Sequence, residues 1–487
     1  MDMNGKVAFG VEGFDTLLHG GGVRGNCYLV IGAPGTGKTI FGLQFLWAGA
    51  ALFDEPGVMV TFEQFPDQLY RDALAFGWDL KELEAADSLR VLFTSAEVFA
   101  DDRGARVLRR VCDEVGAKRV HIDSLTNLAS VAGSPGEARR LIYRFVNMVK
   151  SCGVTATMAT ELDAGGTGTA AEHLVDGLIR MKYEPWLTRG RRRTVEVIKN
   201  RGRPHMPGEH SFEITSKGLV VYPRLPPTQP AERIGGDERA GTGVAGLDEM
   251  TGGGLPRGTC CVVSGSTGLG KTLLGLQFLA EGASRGEMGL FVSLEERPEE
   301  IARFARGVGV DVDGMVEKGL LRFVYRVPAE LDFDELSSAV RREIDAGPVR
   351  RMVFDSVSTL SIRIPEDHQF RNLLYLLMDY TKGRGITSIL TDETFELFLE
   401  QKVTTRGISS VVDTVVLMRY LEVNSRMHRV LTVLKSRGIG HSKDIVPYTI
   451  TSKGITVSRR VGELSGVLQG TATRSGIAER LLSKMRL

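Results

Sequence analysis

Nowhere in the 487-residue sequence does an apolar run approach the 18 or more residues of a membrane span, and Met1-Asp2-Met3-Asn4-Gly5-Lys6 lacks the apolar segment of a secretory signal. A soluble, cytoplasmic protein without membrane association is therefore expected. An excess of one charge sign is also lacking: 61 Lys and Arg against 60 Asp and Glu leave a formal net charge of +1, which gives no global attraction to nucleic acid or acidic lipid. The local run Arg189-Gly190-Arg191-Arg192-Arg193 lies between two predicted strands and reads as a solvated hairpin turn rather than a nucleic-acid patch. Cysteine is sparse. The five thiols (Cys27, Cys112, Cys152, Cys260, Cys261) show no C-x-x-C spacing, and Cys27 and Cys260 fall in matching apolar runs, so they read as reduced small hydrophobes rather than ligands or disulfides.

What the chain does have, it has twice. Gly32-Ala33-Pro34-Gly35-Thr36-Gly37-Lys38-Thr39 recurs 233 positions later (271 − 38) as Gly265-Ser266-Thr267-Gly268-Leu269-Gly270-Lys271-Thr272. Both fit G-x-x-x-x-G-K-[ST], in which small residues let successive backbone N–H groups close around phosphate oxygens, Lys reaches the terminal phosphates and the hydroxyl ligates Mg²⁺. A helix opening at the lysine aims its positive end at the same anion. The nucleotide-binding set is then Gly35, Thr36, Gly37, Lys38 and Thr39 with Gly268, Leu269, Gly270, Lys271 and Thr272. The flanks agree: Cys27–Ile31 and Cys260–Ser264 read as buried strands before each loop, and Gly42-Leu43-Gln44-Phe45-Leu46 recurs as Gly275-Leu276-Gln277-Phe278-Leu279 behind it.

The duplication reaches the ends of each half. Gly13-Phe14-Asp15 and Gly20-Gly21-Gly22 open the first, Gly246-Leu247-Asp248 and Gly252-Gly253-Gly254 the second; Thr215-Ser216-Lys217-Gly218 and Thr451-Ser452-Lys453-Gly454 close them. With 42% hydrophobic residues the chain can bury two cores of ordinary size. We expect an α/β protein of two tandem P-loop lobes, residues 1–222 and 241–460, joined by a proline-rich linker at 223–240 and followed by a C-terminal loop and short tail at 461–487. In each lobe, apolar runs alternate with helix-like stretches and give way to closely spaced strands, which predicts a mainly parallel sheet flanked by helices with an antiparallel extension.

Transfer or hydrolysis of a γ-phosphate needs a metal-facing carboxylate and a group that orients or deprotonates the nucleophile. Asp123 and Asp355 end apolar runs and are each followed by serine, the pattern of a Walker B element; they would assist Thr39 and Thr272 at Mg²⁺ directly or through water. Glu63 and the pair Glu295-Glu296 follow another apolar run in each half and are candidate general bases, with capping of the next helix as the bland alternative. A third repeated cluster, Lys199-Asn200-Arg201-Gly202 with His205 and Lys435-Ser436-Arg437-Gly438 with His441, reads as a cationic face for phosphates of a neighbouring subunit, against the alternative of an exposed basic edge strand.

Taken together these motifs resemble the KaiC family, double-lobed RecA-like ATPases and autokinases of circadian clock systems, along nearly the whole chain. Phe53-Asp54-Glu55-Pro56-Gly57-Val58, Phe76-Gly77-Trp78-Asp79-Leu80 and the segment from Arg201 to Glu209 resemble that family's first lobe, and Gly265 to Thr272 with Glu295-Glu296 its second. The resemblance implies a homohexameric double ring with ATP between neighbours, a KaiB-like partner, and phosphorylation at Ser409 or Ser410 in Ile408-Ser409-Ser410-Val411-Val412-Asp413-Thr414. It also implies that Glu295 and Glu296 activate the acceptor hydroxyl and that Arg371 reaches phosphate across the interface, with Arg139 as its first-half counterpart. Two departures stand out: Gln64 replaces a second glutamate in the first lobe, and only residues 475–487 follow the loop ending at Arg474, which argues against dependence on a KaiA-like activator. Within that tail, Ile477 to Met485 has the pattern of a short amphipathic helix or a frayed end. Two rival functions share the fold: a RecA-type motor on DNA, and an ATP-gated ring scaffold whose serines are never modified.

Overall fold

The computed structural model describes residues 5–100, 102–161, 171–186, 190–225, 238–328, 331–364, 366–394, 405–423, 426–457, 464–465 and 473–474. The chain divides into two compact units, Met1–Arg224 and Leu225–Leu487. Leu225, inside the expected linker, packs in the second unit's core, and Arg239–Ala240 pairs with Leu255–Pro256. The amphipathic reading of 477–485 lies outside the described residues.

The first unit's sheet contains β1 (Cys27–Ile31), β2 (Gly57–Thr61), β3 (Leu89–Phe93), β4 (Arg119–Asp123), β5 (Thr155–Thr160), β6 (Gly177–Trp186), β7 (Gly190–Asn200), β8 (His210–Thr215) and β9 (Gly218–Tyr222). Their order is β9-β8-β7-β6-β1-β5-β4-β2-β3. Pairings from β6 through β3 are parallel, whereas β6 to β9 form antiparallel hairpins. The second unit repeats this with β10 (Cys260–Gly265), β11 (Met288–Ser293), β12 (Leu321–Tyr325), β13 (Val349–Asp355), β14 (Thr387–Glu393), β15 (Thr414–Val423), β16 (Arg426–Ser436), β17 (Val446–Thr451) and β18 (Gly454–Val457), in the order β12-β11-β13-β14-β10-β15-β16-β17-β18. This is the expected RecA-like α/β architecture, twice. Central strands such as β1 and β10 are buried throughout and mainly apolar because helices cover both faces. Four helices matter below: α1 (Lys38–Leu52), α2 (Asp102–Val115), α3 (Pro135–Ser151) and α4 (Lys271–Ser284).

The repeated sequence signatures have structural causes. Gln44 on α1 donates to Leu219 O (3.2 Å) and accepts from Leu219 N (2.7 Å), fastening the phosphate-loop helix to β9; Gln277 on α4 likewise accepts from Ile455 N (2.8 Å). The Thr-Ser-Lys-Gly turn that starts β9 places Gly218 at φ +106°, where an added Cβ would stand 2.4 Å from Trp78. Asp15 accepts from the amides of Phe9 (2.7 Å) and Gly10 (3.1 Å), and Asp248 from that of Thr242 (2.8 Å), which is why each lobe opens with glycine, a core hydrophobe and aspartate. Gln44→Leu should strand the buried Leu219 N–H at a cost of about 1–3 kcal/mol. Faster hydrogen exchange at Leu219 and an earlier first unfolding transition would show it; an unchanged transition would deny Gln44 this role.

Some local expectations change. Arg191, Arg192 and Arg193 are part of β7 rather than of a solvated turn: Arg193 lies over the Tyr183 ring at 4.0 Å, Arg192 over Trp186 at 4.7 Å, and Arg192 Nε donates to Ser211 Oγ at 2.7 Å. Arg189 lies outside the described residues. Strands β7 and β16, which carry Lys199 and Lys435, are interior to their sheets, but their second neighbours pair only with Arg193–Val195 and Arg429–Leu431, so the ends bearing the basic motifs are bonded on one side. Among the described residues no helix is long and apolar enough to cross a membrane.

Candidate functional site

Both glycine loops leave the carboxyl end of a central strand and run into a helix that begins at the lysine. The helices can start there because Gly37 (φ +103°) and Gly270 (φ +89°) hold left-handed backbone that a side chain would strain. Lys38 Nζ donates to Gly32 O (2.8 Å) and Ala33 O (3.1 Å), and Lys271 Nζ to Ser266 O (2.9 Å), so each ammonium lies within its own loop. Burial lowers both lysine pKa values, against the opposing charges of Glu161 and Asp123 around Lys38 and of Glu393, Asp355, Glu295 and Asp392 around Lys271. Thr36 and Leu269 are fully buried; Thr36 Oγ1 donates to Ala33 O (2.8 Å), so these two offer a phosphate their backbone rather than their side chains.

The strand-end carboxylates meet the loops. Thr39 Oγ1 donates to Asp123 Oδ2 at 2.5 Å and Thr272 Oγ1 to Asp355 Oδ2 at 2.8 Å. Asp355 is buried, which raises its pKa despite hydrogen bonds from Thr391 and Thr272. A hydroxyl and a carboxylate side by side form a hard, oxygen-only donor pair of the kind that suits Mg²⁺, which keeps several waters and takes further ligands from phosphate.

Glu63 and Glu295-Glu296 follow β2 and β11 at the same end of their sheets. The capping alternative is not what they do: Glu300 accepts from the Arg297 amide (2.9 Å) at the next helix, and the helix after Glu63 has no side-chain cap. Their partners differ between lobes. Glu63 Oε1 accepts from the Asn127 amide, whereas Glu295 Oε1 accepts from two hydroxyls, Ser356 (2.5 Å) and Thr359 (2.6 Å). Burial, then the charges of Asp355, Glu295 and Glu300, raise the Glu296 carboxyl above its ordinary range, which makes it a stronger base once deprotonated. Gln64 keeps the local turn through Thr61 Oγ1 and its own carbonyl (3.2 Å), as Glu296 does through Ser293 (2.6 Å), so the exchange removes a carboxylate without altering the backbone contact.

The basic motifs lie at the other end of the sheet. Lys199 Nζ donates to Glu172 O (3.1 Å) and Val175 O (2.7 Å), and Lys435 Nζ to Ser409 O (2.7 Å) and Val412 O (3.0 Å). Arg201 Nη2 reaches His173 O (3.4 Å) and Arg437 Nη2 reaches Ser410 O (3.0 Å). These matching bonds superimpose Glu172-His173 on Ser409-Ser410, so the first lobe has no hydroxyl where the second has two. Ser409 and Ser410 close a short 3-10 turn, and Ser410, exposed, donates to Gly407 O (2.9 Å). Asp413 follows; it precedes β15 rather than lying in it, its N–H donates to Cys260 O (2.9 Å) and its Oδ2 accepts from Cys260 N (2.9 Å) at the opening of β10. The phosphate loop leaves the far end of that same six-residue strand, so at about 3.3 Å per residue the serines and their own chain's loop are roughly 17–20 Å apart. Neither the serines nor Lys435 and Arg437 can reach the phosphates held by their own subunit.

His205 and His441, four positions after these arginines, are half-buried, and Arg371 and Arg139 are exposed. Arg139 lines a cavity of about 850 Å³ with Arg140, Tyr143 and Arg144, away from the phosphate loop. Sequence reasoning missed Glu161 and Glu393, which face the loop lysines, and Asn127 and Thr359, which hold the strand-end glutamates. The available signal was their common offset of 232 (393 − 161; 359 − 127), the same as between Asp123 and Asp355.

Residues 7–226 and 240–461 each match the family model described as KaiC ATPase. The protein of Thermostichus vulcanus named circadian clock oscillator protein KaiC is 34% identical over 490 residues, covering 98% of this chain and 93% of its own. Proteins of the same name from Acaryochloris marina and Nostoc are 33% identical and again cover 98% of this chain, with 92% and 93% of their own lengths. Two nucleotide-binding lobes built on one plan, matched along nearly their full length, make this chain a member of the KaiC family of ATPases.

Proposed function

We propose that the chain is a ring-forming ATPase and serine autokinase of a circadian-clock-type signalling system, hydrolysing ATP in the first lobe and phosphorylating Ser409 or Ser410 in the second. What carries the reading is the separation of acceptor and loop along β10, which makes any transfer intersubunit and fits ATP held between neighbours in a homohexamer. In that reading Lys199, Arg201, His205, Lys435, Arg437, His441 and Arg371 face a neighbour's phosphates, and a KaiB-like protein is the expected partner.

At the second site the backbone from Gly268 to Thr272 cradles the phosphates and Lys271 draws charge from the terminal one. Glu295, fixed by Ser356 and Thr359, and Glu296 with its raised basicity stand where an incoming hydroxyl loses its proton. The serine oxygen forms its bond to γ-phosphorus as the bridge to the β-phosphate breaks; ADP leaves with the electron pair, and the carboxylate holds the proton. Thr272 and Asp355 would hold Mg²⁺, as Thr39 and Asp123 would in the first lobe, and the ion would neutralise charge on the phosphate oxygens. In the first lobe Glu63, held by Asn127, orients water instead of a serine.

Incubation with γ-labelled ATP followed by peptide mapping tests this. Label is expected in the peptide spanning Ile408 to Thr414 and absent from Ser409→Ala/Ser410→Ala protein. Unlabelled wild-type protein that nonetheless changes ring size with ATP would favour the scaffold, and strong, salt-sensitive stimulation of hydrolysis by DNA would favour the motor.

A further inference from the structure

The first lobe contains a thiol pair that the nucleotide chemistry does not use. Cys112 lies on α2, buried at 5% exposure, and Cys152 caps the end of α3, half-buried against the same apolar cluster. Both thiols pack in that one cluster, and each is the other's leading electrostatic neighbour, although 40 positions separate them (152 − 112). Contacts nearby bring the same two helix segments together. Arg109, one turn before Cys112, donates from Nη2 to Ser151 Oγ at 2.9 Å, and the Cys152 sulfur turns back towards Met148 O at 3.5 Å.

The second lobe joins the same two helix ends differently. Adding the offset of 232 to Cys112 and Cys152 gives Ile344 and Arg384. There, Ile344 packs in the apolar core and Arg384 pairs at 2.7 Å with Asp345, the counterpart of Asp113, so the helix ends are joined by an ion pair and neither position has sulfur. A tie between these helices is thus a feature of both lobes, and only the first has a tie that oxidation can make covalent.

We propose that Cys112 and Cys152 are a peroxide-sensitive dithiol that closes to a disulfide in the first lobe alone. The segment between them includes β4, Asp123 and Asn127, so the bond would clasp the stretch that brings the metal-facing carboxylate and the glutamate-holding amide to the first nucleotide site.

Cys152 is the attacking sulfur. The neighbouring Cys112 thiol lowers its pKa to about 7, with help from Arg109 and against burial, while the Cys112 thiol is pushed up. The Cys152 thiolate attacks one peroxide oxygen and the O–O bond breaks; the departing hydroxide takes a proton, leaving water and Cys152 sulfenic acid. The Cys112 sulfur then attacks the sulfenic sulfur, the S–S bond forms, the S–O bond breaks, and the second water carries away the remaining proton. Two thiols are oxidised and one hydrogen peroxide is reduced to two waters.

The test uses the full-length chain treated with hydrogen peroxide and mapped without reductant. The expected result is a crosslinked pair of peptides containing Cys112 and Cys152, an intact mass lower by about 2 Da, and reversal by dithiothreitol. The oxidised protein should hold its first unfolding transition roughly 5 °C higher. Cys112→Ser should stop the reaction at a sulfenic acid on Cys152 that dimedone captures. If that variant does not fold, alkylation of the native wild-type chain replaces it, with Cys152 expected to react ahead of the other four thiols. Oxidation of Cys152 to sulfinic acid without a crosslink, absence of oxidation at either thiol, a crosslink that leaves the transition unmoved, or Cys152 reacting no faster than the rest would each overturn the proposal.

Discussion

Lys271→Ala is expected to abolish labelling of Ser409 and Ser410 while hydrolysis in the first lobe continues, and Lys38→Ala to do the reverse. Each lysine lies inside its own loop, held by that loop's carbonyls. Neither glycine loop contains a second lysine or an arginine to replace it. Loss of a preorganised cation at the transferring phosphate should slow the affected lobe by about 10²-fold or more. Phosphopeptide mapping reads the second lobe. Steady-state ADP release in a Ser409→Ala/Ser410→Ala background reads hydrolysis without the acceptor. An equal loss of both activities from either substitution would contradict the division of labour between lobes.

The second large effect is on stability. Glu287→Ala should cost the second lobe about 3–5 kcal/mol. Arg351, at the start of β13 and 0% exposed, binds Glu287 at 2.6 Å, donates to Gly241 O (2.6 Å) and Phe278 O (2.8 Å), and lies over the Phe278 ring at 4.6 Å. Arg257 grips the same carboxylate. Removing Glu287 leaves a guanidinium buried without its counter-ion, and that uncompensated charge is the source of the cost. A double variant, Glu287→Leu with Arg351→Met, should recover most of the loss, because it removes the charge along with its partner. Thermal or denaturant unfolding decides: a single substitution costing less than about 1 kcal/mol would rank the pair with ordinary surface bridges.

The same pair has a pH signature. Burial alone would raise the Glu287 carboxyl, but hydrogen bonds from Arg257 and Arg351 outweigh it and the net pKa is lowered. A depressed folded-state value contributes stability that is fully present above the ordinary carboxylate range and is lost as acidification passes through the lowered value. Glu287→Ala should accordingly flatten the acid limb of the second lobe's stability curve.

How far the sequence could be read depended on whether spacing alone fixes geometry. The glycine loops and the strand-end aspartates were legible because each motif specifies its own contact: a strand, a turn and a helix bring Thr39 to Asp123 wherever the pattern occurs. Gln44 and the Thr-Ser-Lys-Gly turn were visible as repeats but not as a pair, since 175 positions separate Gln44 from Leu219 and only sheet order brings them together. Arg119 and Arg351 read as ordinary strand openers, and nothing in their local sequence announces an arginine folded inward over a phenylalanine ring. The basic motifs were read as a phosphate-facing cluster, yet their place at the far end of the strand from their own loop follows from topology alone. The five thiols are free, as their spacing implied, but that spacing gave no sign that tertiary packing places Cys112 and Cys152, from different helices, in one cluster.

One strand, β10, has the turn of Ser409 and Ser410 at its beginning and the phosphate loop at its end. A molecule so polarised cannot serve itself. If transfer occurs in a closed ring, each subunit gives in one rotational sense and receives from the other, and the covalent mark on any chain records the nucleotide held by its neighbour. A chain disabled by Lys271→Ala would remain a competent recipient beside an intact one, so mixed assemblies would carry the mark on the wrong-looking partner, the one that cannot write it.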